Sequence, residues 1–467
     1  MKNCEACGQC LQNCYLAPQN PKIAKMIMKS IKDYIDSNFK KTLPSMAKAA
    51  IWRCCTDEYC NQFCPNGISK AVLMIGLRFI LLQKGSGPFM LQMLENLLRK
   101  ALQKDPKLSL QRVGMRILGH FSYPNKWLKD PKRKQTTERL ELAKHPPLRR
   151  IKPGTTLFMP GCGHTYGMPS LVQLTMAILD KASVKYHTIG TPEFCCGGAF
   201  AVAGFLKGSF LIGERTGNLL AKLKPKRVIT ACPGCFMAYS TKKITTGVGD
   251  KTFNFPLSTI LEDANIEVLH LSEYIIELIK SGEIKFHRPI KRPVAVIASC
   301  STGKRNETIG KGKITETQQE ILKSIPGIDY RELTYIGDKS RCCGITAKLT
   351  EKFASLSSLF NPDLAYNSQK TVIEDALAKN VRDVATICGG CVINYGIGLK
   401  KMGTPLKLWD IQELVAYAMG INIYPREHEE LLDWIQLSPP FIKVGMYRSI
   451  PRLLEASSYA LKYLLPS

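Results

Sequence analysis

The chain has 467 residues, enough for two or three domains with their own cores. Hydrophobic residues make up 45% and charged residues 22%, which excludes disorder as the default. The formal charge of +27 fits an anionic substrate, partner or membrane surface, bound anionic cofactors, or simply a solvated Lys-rich face. No zinc-finger, helix-turn-helix or RNP-type pattern accompanies it, so nucleic acid is not expected as a partner.

In chain order, residues 1–124 read as mostly helical, with apolar spacing of helical period over Pro21–Phe39 and Lys70–Leu102. The N-terminus reaches Cys4 without an apolar leader, so no secretory signal is expected. The longest apolar run, Ala71–Leu82, contains Arg78 and is too short to span a bilayer. Residues 125–154 form a basic linker punctuated by Pro131, Pro146, Pro147 and Pro153. From residue 155, short apolar strands alternate with amphipathic helices, the order of a parallel α/β sheet. The strands are expected at Thr155–Met159, Val184–Ile189, Arg227–Thr230, Pro293–Ile297, Tyr330–Tyr335 and Asp383–Ile387. Helices are expected at Ser170–Lys181 and Phe210–Leu223.

This α/β region is an internal repeat. Each half runs strand, lone Cys, helix, strand, Cys-Cys-Gly, helix, strand, Cys-x-x-Cys, and Leu269–Glu273 matches Leu406–Asp410 where each half closes. The expected domains are therefore 1–124, the linker 125–154, a first α/β domain 155–292, a second 293–425, and an extension 426–467 without a motif. The overall class is α+β and multidomain: a mainly helical N-terminal domain joined to two α/β domains with parallel sheets, related by a pseudo-twofold axis. A site between the halves would see both sets of cysteines.

The eighteen cysteines divide as eight, five and five. In a reducing cytosol such a count signals metal or redox chemistry rather than disulfides. Cys4, Cys7, Cys10 and Cys14 have the C-x2-C-x2-C-x3-C spacing of bacterial ferredoxins. A second run, Cys54, Cys60 and Cys64-Pro65, keeps that register with Asp57 in place of its second cysteine. On the crossed pattern, Cys4, Cys7, Cys10 and Cys64 hold one [4Fe–4S] cluster, and Cys14, Cys54 and Cys60 hold the other. The fourth ligand of the second is open: Asp57 supplies an oxygen, Cys55 swings in, or the site loses an iron and becomes [3Fe–4S]. Structural zinc competes with this reading but commonly pairs separate C-x2-4-C knuckles.

The two quintets are Cys162, Cys195, Cys196, Cys232 and Cys235, then Cys300, Cys342, Cys343, Cys388 and Cys391. Glycine after each adjacent pair permits the sharp turn that would aim both sulfurs at one centre. Five thiolates exceed the four that a cubane or zinc needs, so the fifth is a spare redox thiol or bridges a non-cubane cluster. Lys304, Arg305 and Arg341 flank these cysteines; each is either solvated charge or an attraction for an anionic substrate.

Residues 155–425 resemble the catalytic subunit of heterodisulfide reductase, a family known for its Cys-Cys-Gly repeat. Residues 1–120 resemble its ferredoxin-type electron-donating subunit, including Trp52 before Cys54 and the Cys64-Pro-Asn-Gly67-Ile68 ending. The fused order is similar to the D-type subunit of the membrane-linked heterodisulfide reductases. The resemblance implies a non-cubane [4Fe–4S] cluster in each quintet, with the disulfide (such as CoM-S-S-CoB) cleaved or formed between them. It also implies electrons entering through the N-terminal clusters, an anionic disulfide or thiol substrate, and a redox partner such as a membrane cytochrome b or a flavoprotein. With no dinucleotide fingerprint or P-loop, flavin and nucleotide are not expected on this chain. The expected location is cytoplasmic, or peripheral on the inner face of the cytoplasmic membrane through the partner. The rival reading is an electron-transfer component of a membrane-associated dehydrogenase or sulfur-metabolism complex, without disulfide chemistry.

Overall fold

A computed structural model describes residues 4–17, 20–87, 92, 151–161, 164, 168–188, 194–241, 243–245, 252–303, 314–347, 350 and 366–421. The expected extension 426–467, most of the linker, and Cys162, Lys304 and Arg305 lie outside these residues.

The N-terminal region is helical. Asn20 accepts N–H bonds from Lys22 and Ile23, and Pro21 at the first position lacks an N–H that would need a partner, so the helix Pro21–Asp36 starts cleanly. Its Ala24, Ile27, Met28, Ile31 and Tyr34 are buried, one face at helical period. That face packs on helices Ser45–Arg53 and Lys70–Gln83 through Ile51, Trp52, Leu73, Leu77 and Leu81. Arg78, which breaks the apolar run in the sequence, is fully buried and bonds backbone carbonyls. No helix among the described residues is long and apolar enough to cross a membrane.

Two wholly parallel sheets follow. In the first, β1 (Thr156–Met159), β2 (Tyr186–Thr188), β3 (Arg227–Thr230) and β6 (Glu267–His270) take the order β2-β1-β3-β6. In the second, β7 (Arg292–Val296), β8 (Ile328–Tyr330), β9 (Asp383–Thr386) and β10 (Lys407–Asp410) take the order β10-β9-β7-β8. Counted within each half, both orders are 2-1-3-4. The central strands read as near-continuous buried runs because helices cover both faces. A short antiparallel hairpin, β4 (Lys243–Thr245) with β5 (Thr252–Asn254), interrupts the first half and has no counterpart among the described residues of the second.

Most expected strands hold within two residues. One shifts: the strand read at Tyr330–Tyr335 lies at Ile328–Tyr330. Its register pairs Arg292 with Ile328 and Val294 with Tyr330, and the chain then leaves the sheet, where Asp375 accepts bonds from the Thr334 amide (2.6 Å) and hydroxyl (2.8 Å). The closing match is also displaced. His270 and Asp410 are the equivalent residues, each capping the next helix in a capping box with Glu273 or Glu413, so Asp410 does not correspond to Glu273.

The halves share one core. Helix Pro169–Lys181 of the first half packs on Ile411–Ala418, the last described helix of the second; helix Leu271–Lys280, the last described helix of the first, packs on Thr315–Ser324 of the second. Phe158, Ile178, Ile275, Val294, Ile321 and Val415 belong to that single core.

Candidate iron–sulfur sites

In a 2-1-3-4 sheet the connections diverge between the first and third strands, opening a crevice at their C-terminal ends. The described cysteines of both quintets follow C-terminal strand ends. Cys232 comes two residues after β3 and Cys388 two after β9; Cys300 follows β7, Cys195–Cys196 follow β2, and Cys342–Cys343 follow β8. Cys232 and Cys388 are also the N-caps of helices Pro233–Ser240 and Gly389–Met402, at the positive end of each helix dipole.

Gly197 and Gly344, one after each adjacent pair, take φ of 70° and 85°, and each donates its N–H to the sulfur two residues back: Cys195 at 3.4 Å and Cys342 at 3.3 Å. A side chain on Gly197 would meet the Ser209 carbonyl at 2.8 Å. Gly198 likewise donates to Cys196 Sγ at 3.4 Å. Gly161, beside Cys162, packs so closely that a Cβ would lie 2.7 Å from Cys232 Cβ and 3.1 Å from Cys235 Sγ.

Cys195, Cys196, Cys232 and Cys235 interact as one group, as do Cys300, Cys342, Cys343, Cys388 and Cys391. Interaction with Cys195 and then Cys235 holds the Cys196 thiol well below the ordinary range. At the equivalent position, Cys342 and then Cys391 hold Cys343 down at about 6. Each half thus favours the thiolate form at the same position.

The N-terminal cysteines gather into two sets. Cys4, Cys7, Cys10 and Cys64 line one small cavity; Cys10, Cys14, Cys54 and Cys60 line another of about 120 Å³. Buried Lys70 borders both. Backbone N–H groups of Thr56 and Ile68 point at Cys54 Sγ (3.3 Å) and Cys64 Sγ (3.4 Å). Burial raises Cys14 and Cys60, and raises Cys54 to about 11 against the opposing charge of Arg78. Among the described residues no three His, Cys, Asp or Glu side chains converge on one metal ion. A multi-iron cluster instead needs thiolates spread around a body, with amides directed at sulfur, and that is the donor set present.

The second N-terminal run lies against the second quintet. The Tyr15 hydroxyl accepts the Cys342 N–H at 2.9 Å and donates to Asp57. The Cys55 thiol, 2% exposed, contacts that of Cys342. Arg341 is not a solvated charge: its guanidinium stacks on Tyr335 at 4.6 Å, Tyr15 at 5.7 Å and Tyr59 at 5.8 Å. Thr350 donates to the Trp52 carbonyl at 2.5 Å.

Several positioning residues carry no motif in the sequence. Thr216 holds both the amide and carbonyl of Cys195; Ser368 donates to the Cys342 carbonyl, and Gln369 and Asn394 to that of Cys343. His164 and His270 are buried, and burial lowers them to about 4 and 3. His164 faces Gly389 of the second quintet's loop. Only its proximity to Cys162 in the Gly-Cys-Gly-His stretch would have flagged it.

A cysteine-rich domain model, the CCG family, matches residues 156–239 and again 294–395. The chain is 26% identical to the D-type subunit of the dihydromethanophenazine:CoB–CoM heterodisulfide reductase of Methanosarcina mazei, over 90% of this chain and 95% of that one. It is 25% identical to the corresponding subunit from Methanosarcina acetivorans over 91% and 95%. It is also 25% identical to the B-type subunit of the CoM/CoB fumarate reductase of Methanothermobacter marburgensis, over 57% of this chain and 47% of the relative. The chain therefore matches the cysteine-rich CCG model twice and is similar, over nine-tenths of its length, to D-type heterodisulfide reductase subunits.

Proposed function

We propose that the chain passes electrons from two ferredoxin-type clusters to a reaction centre of two quintets, where a disulfide of the CoB–CoM class is reduced or formed. The observation that carries this reading is the same grouping of cysteines beyond the strands of both sheets, with the second N-terminal run seated against Cys342. Cys4, Cys7, Cys10 and Cys64 would hold the first cluster, and Cys14, Cys54 and Cys60, with Asp57, the second. Cys162 with Cys195, Cys196, Cys232 and Cys235, and Cys300 with Cys342, Cys343, Cys388 and Cys391, would each hold a non-cubane cluster.

When bound, such paired clusters supply one electron each, so that both electrons of a disulfide bond are met at one place. The chain's own part is to fix the sulfurs. Gly197 and Gly344 turn each adjacent pair, their amides bond the first sulfur, and Cys232 and Cys388 sit at the positive ends of helix dipoles. The reciprocal helix packing between the halves supports a pseudo-twofold between domains 155–292 and 293–425. The electron donor would be a partner protein, a membrane cytochrome b or a flavoprotein, and membrane association would come through it.

Adding a thiol to the oxidised, iron-loaded chain tests the reaction. A paramagnetic species at a quintet is expected; silence means the chain is only a wire. Cys195→Ser and Cys342→Ser should each abolish disulfide turnover, by more than about 100-fold, while the spectrum of the N-terminal clusters persists.

A further inference from the structure

The two N-terminal cysteine runs share one backbone shape. In the first, Ala6 and Gly8 take positive φ (53° and 83°); in the second, Thr56 and Glu58 do (55° and 65°). Cys54, Asp57 and Cys60 therefore occupy the loop positions of Cys4, Cys7 and Cys10, and Cys55 occupies that of Glu5. In the first run that position borders the cysteine-lined cavity. Glu5 is exposed and accepts a bond from Asn66 at 3.4 Å. In the second run the same position faces the α/β region. There the Cys55 thiol is buried against Cys342, and the loop is held by Thr56 bonding the Cys55 carbonyl at 2.6 Å and by Arg78 on the Cys54 carbonyl at 2.6 Å. Asp57, at the ligand position, is engaged by Tyr15, whose oxygen also receives the Cys342 amide.

We propose that Cys55 is a sixth thiol of the second quintet, contributed across the domain boundary, and that the second N-terminal site keeps three thiolates, Cys14, Cys54 and Cys60, with Asp57 at its fourth corner. This rests on the iron–sulfur reading above. Cys55 does not line the cavity that Cys14, Cys54 and Cys60 share.

The test is paramagnetic resonance during reductive titration of the full chain prepared without oxygen, with iron and acid-labile sulfide counted. Cys14→Ser identifies the signal of the second N-terminal site and Cys388→Ser that of the second quintet. In Cys55→Ala and Cys55→Ser, the N-terminal signal should be unchanged and the quintet signal shifted, at undiminished iron content. Loss or conversion of the N-terminal signal, or no change in either, overturns the proposal. Asp57→Cys leaves Cys55 in place and gives a second reading. It should convert the N-terminal signal to that of a four-thiolate cubane, and an unchanged signal overturns the assignment. A wild-type chain carrying zinc without iron or sulfide would instead sink the iron–sulfur reading beneath it.

Discussion

Arg78 shows what a single residue does here. Its guanidinium donates to the Ile51 carbonyl (2.8 and 3.0 Å), to Trp52 (3.3 Å) and Cys54 (2.6 Å), and to Val202 of the first α/β half (2.7 Å). It thereby satisfies carbonyls where helix Ser45–Arg53 ends, and ties the second cysteine run to a different domain. Gly204 packs against its stem, where a Cβ would lie 2.7 Å from Arg78 Cβ. Arg78→Met keeps the apolar stem and strands these carbonyls. Each buried acceptor left without a donor costs about 1–3 kcal/mol, so a loss of about 3 kcal/mol or more is expected, read from denaturant unfolding of the loaded chain. In the sequence Arg78 is legible only as an interruption of an apolar run. Its partners lie up to 124 residues away, and no local pattern encodes them. The cysteines themselves are legible because they recur at short, repeated spacings. Cys55 is not: its fate depends on which neighbour fills the space beyond the loop.

At the scale of elements, the strand-to-helix joints repeat most faithfully. β6 and β10 each end on a residue that caps the following helix, and each helix offers a Glu at its third position. Spacing alone misaligns these joints because both segments are rich in alternating Leu, so several registers fit equally well. The cap chemistry fixes the register, since Asp410 and Glu413 must exchange bonds across three residues. Asp410→Ala should cost about 1 kcal/mol through the lost cap, measured as a lowered unfolding midpoint. The edge strand β8 escapes sequence reading for a related reason. Leu333 and Tyr335 look strand-forming, yet the chain there is held by Asp375 rather than by β7.

At the scale of the molecule, neither half is self-sufficient. Each one's last described helix covers a helix of the other, Thr315–Ser324 or Pro169–Lys181, and Thr175 bonds Gln412 across the shared layer. Residues 155–292 expressed alone should therefore expose that layer and aggregate, whereas co-expression with 293–425 should restore a soluble pair, both read by size-exclusion chromatography. A monodisperse single half would refute the shared core. The repeat is visible in the sequence; that its units exchange covering helices is not, because amphipathic periodicity shows that a face is buried without showing against what.

The short stretch from Trp52 to Asp57 touches both halves: Arg78 links it to Val202 on one side, while Thr350 and Tyr15 link it to the other. It works as a crossbar between two abutments. On the proposed function, the gap in which a disulfide would sit is gauged from outside by the segment that would deliver electrons, so loosening that arm would also change the width of the gap.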